Sequence, residues 1–215
     1  MSDDVPTTTE IIAAGMQGAV AGLTDPVVKF LAKLLGPATD QAGGWLGEVV
    51  AEKRRRWRER VVGRAQEIVE ASGLEAHEVP LQLLMPILDS GSNEERPEMQ
   101  ERWAYLLANA ATGANPVPTA FPEILRQLEP IEAAAVEFMV VEANGWIGTA
   151  RLLGDAIPGL DNGNIDNLVR LALARFLAED YTGPGAQIRY PEPTLVTTVL
   201  AIRFVAACRP PSAAS

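Results

Sequence analysis

The sequence predicts a mainly α-helical protein: an N-terminal helical region with a long basic helix, then a winged-helix-like module with a small β-hairpin. Three observations predict it. Ala and Leu are abundant while aromatic residues make up only 6%, a composition that favours helices. Apolar residues recur at spacings of three and four along most of the chain. Near the C-terminus, two short strand-like runs, 174–178 and 187–190, flank a turn made of Thr182, Gly183, Pro184 and Gly185.

Taken in order, residues 1–9 are polar and acidic and are expected as a disordered tail, without the basic start and apolar run of a signal peptide. Residues 10–35 read as two short helices split at Thr24-Asp25-Pro26, where Thr24 or Asp25 caps and Pro26 takes the first helical position. The first carries Gly15, Gly18 and Gly22, which weaken a helix. Two readings stay open for it: close helix–helix approach through Gly18 and Gly22, or a mobile, poorly packed helix. A long helix follows over 39–71, with Val49, Trp57, Val61, Ala65, Ile68 and Val69 on one face and Ser72-Gly73 as its stop.

Segment 78–92 is a helix that starts at Pro80 and is broken or kinked at Pro86, with Leu81, Leu84, Met85 and Leu88 in the core. Ser92 and Glu95 have capping-box spacing for the next helix, near whose start Pro97 is tolerated. That helix carries Trp103, Leu106, Leu107 and Asn109 and ends at Gly113. Asn109 lies one turn before the Gly-, Asn- and Pro-rich loop 112–118, so its amide is expected to be partly buried and to hydrogen-bond that loop. The loop is the candidate domain boundary, giving a helical domain over 10–112 and the module over 119–208. Within the module, 119–128 is a short helix and Pro130 starts another that Asn144-Gly145 ends. Residues 146–153 form a short element, 165–174 a helix and 194–208 a last helix. Residues 209–215 are expected as a second disordered tail.

Charge is the other feature with functional content. The chain carries a net charge of −10, which argues against wholesale nucleic-acid binding. Residues 53–64 nevertheless hold seven of the 18 basic residues and one acid, a net +6 that leaves −16 on the rest. Lys53, Arg54, Arg55, Arg56, Arg58, Arg60 and Arg64 are therefore either a solvated helix face tied down by acids of the same chain or a surface for an acidic partner or anionic membrane. Pairing of Glu52 with Arg56 and of Glu59 with Arg55 is expected. In the module, the reading helix of a DNA binder would have Asn164, Asp166, Asn167 and Arg170 available, with Glu179 and Asp180 at the hairpin. Those acids would face phosphates, so a protein contact or a structural role is the better expectation.

Catalysis finds little purchase. With one His and one Cys, a Ser–His or Cys–His pair would need His77, and nothing near it in sequence supports that. The run from His77 is not the HExxH zinc motif because position 81 is Leu, and no GxSxG elbow or phosphate loop is present. No catalytic residue, cofactor or small-molecule substrate is expected. The single Cys208 excludes an internal disulfide and a cysteine-built metal site, and fits a reducing cytoplasm. The apolar stretch 11–35 is interrupted by Asp25, Pro26, Lys29 and Lys33, so no conventional transmembrane helix is expected.

The series MPILDSGSNEERPEMQERWAYLLANA, AFPEILRQLEPIEAAAVEFM, NLVRLALARF and IRFVAAC resembles the abortive-infection alpha (Abi-alpha) family of bacterial phage defence, over roughly residues 43–208. Trp103, Leu106, Leu107 and Asn109, with Phe121, Leu125, Leu128 and Pro130, are the positions that mark it. Where members often carry a LiRLGL run, this chain has Ala172 in place of the glycine. The resemblance implies a cytoplasmic protein whose sensing of infection ends in dormancy or death of the cell. Together with the missing catalytic constellation, it leads to the expectation of a non-enzymatic protein with a protein partner, of phage or self origin. The first alternative is a membrane-acting effector at the inner face of the membrane, whose glycine-bearing apolar N-terminal segment inserts while the arginine-rich helix docks on anionic lipid, and the second is a winged-helix DNA-binding regulator.

Overall fold

The computed structural model describes residues 25–35, 52–145, 147–177 and 194–212. It is mainly helical with one small antiparallel sheet. The described residues fall into two compact units, one within Met1–Glu123 and Ala207–Ser215, the other within Ile124–Ala206. The division thus falls inside a short helix, while the loop 112–118 belongs to the first unit. The tail and helix expected over 1–23, the start of the long helix, and the strand expected over 187–190 lie outside the described residues.

In the first unit, α1 (Asp25–Leu35) buries Val27, Phe30, Leu31 and Leu34, the one-sided spacing of an amphipathic helix. Helix α2 (Glu52–Ser72) buries Val61, Val62, Ala65, Ile68 and Val69. The extended segment that follows is stitched down by backbone bonds, His77 N–H to the Ala111 carbonyl at 2.7 Å and Val79 N–H to the Leu34 carbonyl at 2.9 Å. Helix α3 (Leu81–Ser92) runs continuously through Pro86, so of the expected break or kink the break does not occur. Pro86 is exposed, and the carbonyl that loses its partner belongs to the exposed Gln82, where water can satisfy it. Leu83, Leu84, Ile87 and Leu88 form the buried face, while Leu81 is exposed and Met85 half-buried.

Helix α4 (Pro97–Thr112) is the centre of this unit, with Met99, Trp103, Ala104, Leu106, Leu107, Ala108, Asn109 and Ala111 buried. The expected Ser92–Glu95 box does not cap it. Ser92 instead donates to the Asp89 carbonyl at 2.9 Å inside α3, and Glu94 accepts the N–H groups of Glu95 and Arg96, both at 3.0 Å. Gly91 lets α3 lie against Trp103, because an added Cβ there would sit 3.3 Å from the Trp103 side chain. Helix α4 ends at Gly113, whose φ of 68° is the left-handed cap that glycine takes without steric cost.

The second unit begins within α5 (Phe121–Arg126). Helix α6 (Pro130–Glu137) opens on a capping box between Glu129 and Glu132 and runs into a π-helical turn, Phe138–Glu142. Strand β1 (Ile147–Thr149), α7 (Ala150–Ala156), α8 (Asn162–Arg170), β2 (Ala174–Phe176), β3 (Thr194–Thr197) and α9 (Val199–Ala207) follow. The sheet order is β1-β3-β2, all antiparallel, with Ile147 opposite Val196 and Phe176 opposite Leu195. Order and topology are consistent with a winged-helix-like arrangement, enlarged from the expected hairpin to three strands.

Two helices differ from expectation in their bounds. Residues 194–197, expected as the first turn of the last helix, form the central strand. The run Thr-Leu-Val-Thr is rich in β-branched residues, and both neighbours offer it ladders. Thr198 then caps α9, its Oγ1 accepting the Ala201 N–H at 3.0 Å. Helix α8 starts earlier than expected because Asp161 and Asn164 form a reciprocal capping box. It also ends earlier, and Ala172 sits at φ 57°, a conformation that favours glycine. Ala172→Gly is therefore expected to stabilise the protein by about 1 kcal/mol, raising Tm by about 2–4 °C. A thermal melt checks this, and a lower Tm would contradict it.

Candidate functional site

Three polar constellations stand out against this apolar framework. The first is Asn109, 0% exposed on α4. Its Nδ2 donates to the carbonyls of Tyr105 at 3.0 Å, Ala207 at 2.9 Å and Arg209 at 2.7 Å. With two protons and three acceptors, one proton is shared. Its Oδ1 accepts from Asn115 Nδ2 at 2.8 Å. Asn109 thus binds the loop, as expected, and also the C-terminal segment, which the sequence did not suggest. Arg209 and Pro211, expected in a disordered tail, belong to the first unit, and Pro211 is buried.

The second constellation lies on the basic helix. Arg64 Nε and Nη2 both donate to Glu101 on α4, the shortest bond being 2.9 Å, and Nη1 donates to Glu67 at 2.9 Å. This fork-on-carboxylate geometry is the strong form of an ion pair. It holds the Glu101 carboxyl below the ordinary carboxylate range despite partial burial. Burial and donation to Glu101 push the Tyr105 phenol up. Arg64 is therefore paired within the chain. Arg60 is exposed and also has a partner. Lys53, Arg54, Arg55, Arg56 and Arg58 lie on α2, but their side chains, and so the expected pairs with Glu52 and Glu59, lie outside the described ones.

The Arg64–Glu101 link carries a pH prediction. Because the folded Glu101 titrates below its unfolded value near 4.5, its stabilisation is complete above that pH. It is lost as pH falls through the folded value. Both groups are substantially exposed, at 48% and 33%, so the contribution is about 0.5–1 kcal/mol. Glu101→Gln is expected to lower stability by that amount at pH 7 and by less at about pH 3. Denaturant titrations at the two pH values check it; an equal deficit at both would contradict it.

The third constellation sits in the second unit, on the helix that would read DNA. Glu132 is only 3% exposed, an ionisable group in the core. Its Oε2 accepts from the Glu129 N–H at 2.9 Å and from Asn167 Nδ2 at 2.8 Å, and its Oε1 accepts from Asn164 Nδ2 at 3.1 Å. Asn167 also donates to the Gln127 carbonyl at 3.2 Å and accepts from Arg170 at 2.6 Å. Asn164, Asn167 and Arg170 are thus committed to the module's own structure. Asp166 is exposed on the same helix.

Sequence reading missed Glu132. Its one signal was an acid three residues after Glu129, at the start of a mostly apolar helix. The family-marking residues are placed as packing elements: Trp103, Leu106, Leu107, Phe121, Leu125 and Leu128 are all buried, and Pro130 occupies the first position of α6. His77 is exposed in the connecting segment. Among the described residues, no three His, Cys, Asp or Glu side chains gather as a metal site would need, and no helix is long and apolar enough to cross a membrane.

In comparisons with known proteins, a family model described as "Abortive infection alpha" matches residues 50–208, which is most of the chain. No curated protein and no solved structure matches.

Proposed function

The chain belongs to the abortive infection alpha family, and from that premise we propose that it is a non-enzymatic effector of phage defence, acting through protein contacts to halt or kill the infected cell. Family membership carries the defence role. The protein-contact reading is supported by one observation above the others. The polar residues that a DNA-reading helix would present, Asn164 and Asn167, are held by the buried Glu132. Base-edge readout needs such amides free, and phosphate binding needs a clustered positive surface. The exposed Asp166 and the net charge of −10 oppose both.

The test is phage yield on cells with and without the gene, across a broad panel. A reduced plaque count for at least one phage is expected, and unchanged yield on every phage would count against a defence role. A gel-shift titration separates the readings further: no salt-sensitive shift with duplex DNA is expected, and a shift that weakens with salt would favour the DNA-binding regulator.

A further inference from the structure

On the first unit, α1, the end of α2 and the segment after it enclose an open groove of about 480 Å³. Its floor is apolar, formed by Phe30, Val69 and Leu74. One rim carries Lys29 and Lys33, four residues apart on α1 and both exposed. The opposite rim carries Glu70 and Glu75, also exposed. Lys33 and Glu75 approach only to 3.5 Å, with side chains 49% and 74% exposed, so this contact neutralises the rims weakly.

We propose that this groove is a self-association surface whose occupant is a second copy of the chain. The distribution of charge decides the occupant. A purely acidic partner would be attracted to the lysine rim and repelled by the glutamate rim, and a basic partner the reverse. The groove therefore calls for an occupant carrying both signs in the opposite order. A two-fold axis through the groove supplies one. It sets Lys29 and Lys33 of each copy against Glu70 and Glu75 of the other, and both cross-pairings form at once because such an interface is self-complementary. This assembly goes beyond the defence reading, and it is measured without phage, so each stands or falls separately.

Sedimentation velocity of the full chain tests it. The wild type is expected to show a concentration-dependent monomer–dimer equilibrium that weakens at 1 M salt, where the Debye length falls to about 3 Å. The pair Lys29→Glu with Lys33→Glu makes both rims acidic, and the pair Glu70→Lys with Glu75→Lys makes both basic. Each variant is expected to dimerise at least about tenfold more weakly than wild type. Mixing the two is expected to restore a dimer, because each then supplies the rim the other lacks. Circular dichroism melts verify that both variants are folded. Three outcomes would overturn the proposal. The wild type is monomeric at all accessible concentrations, which leaves the groove open or covered by the protein's own residues 1–24. Both charge-reversed variants dimerise like wild type. The folded variants fail to pair when mixed.

Discussion

Asn109→Leu is expected to destabilise the protein by about 3–5 kcal/mol, the largest effect of any single substitution considered. Leucine is close in size and apolar, so the loss is of hydrogen bonding rather than volume. It leaves the Ala207 and Arg209 carbonyls and the Asn115 amide without the partner they have now. The Ala207 carbonyl is buried and costs about 1–3 kcal/mol when unpaired, while the part-buried Arg209 and Asn115 groups add smaller amounts because water reaches them. The Tyr105 carbonyl lies within α4 and loses only a secondary contact. Asn109→Asp sharpens the test. It sets a carboxylate against the three backbone carbonyls that Nδ2 now faces, so its acid form is favoured and its deficit should shrink as pH falls towards about 4. Urea midpoints at pH 7 and pH 4 measure both variants. Hydrogen exchange should show protection lost first in the loop 112–118 and around 207–212. A deficit below about 1 kcal/mol for Asn109→Leu would show that these bonds contribute little.

The second large effect is expected at Glu132. Glu132→Leu removes the acceptor shared by the Glu129 N–H and the amides of Asn164 and Asn167. It should cost about 3 kcal/mol, concentrated in the second unit. Glu132→Gln retains one carbonyl oxygen but turns an amide nitrogen towards two other amides, and should cost roughly half as much. The contrast between the two substitutions matters more than either value. If Gln is as damaging as Leu, the charge itself is required; if both are neutral, α6 and α8 are joined by apolar packing alone. Without Glu132, Asn164 keeps its bond to Asp161 and Asn167 its bonds to Gln127 and Arg170, so a gain of DNA binding in folded Glu132→Leu would implicate Glu132 itself in suppressing readout.

Local features were legible in the sequence. The apolar spacing of α4, its end at Gly113 and the burial of Asn109 follow from periodicity and from the cost of a lone buried amide. What was not legible depends on partners distant in sequence. Residues 194–197 read as helix because an apolar run continues through Cys208, and only pairing with β1 and β2 makes them a strand. The same holds for Glu132, whose burial is tolerable because Asn164 and Asn167 arrive from more than thirty residues away. Asn109 shows both sides. Its bond to Asn115 was foreseeable from six residues' distance, whereas its bonds to Ala207 and Arg209 required the chain to return. Of the basic run, Arg64 could not be assigned from sequence because Glu101 lies on another helix.

Ala172 connects the two levels. Its residue type breaks the glycine pattern of the resemblance, and its positive φ places it where that glycine's freedom would be used. The departure leaves the helix-to-strand turn in place, with the Ala172 N–H bonded to the Val169 carbonyl at 2.9 Å.

The proposed role in defence is to stop the infected cell. Phage burst size, measured in synchronous infections of cells with and without the gene, tests it most directly, alongside culture survival at low and high multiplicity. The account predicts a smaller burst with the gene present, survival of the culture at low multiplicity, and arrest or death of nearly all cells at high multiplicity. An unchanged burst size, with lysis following the same course in both strains, would contradict it.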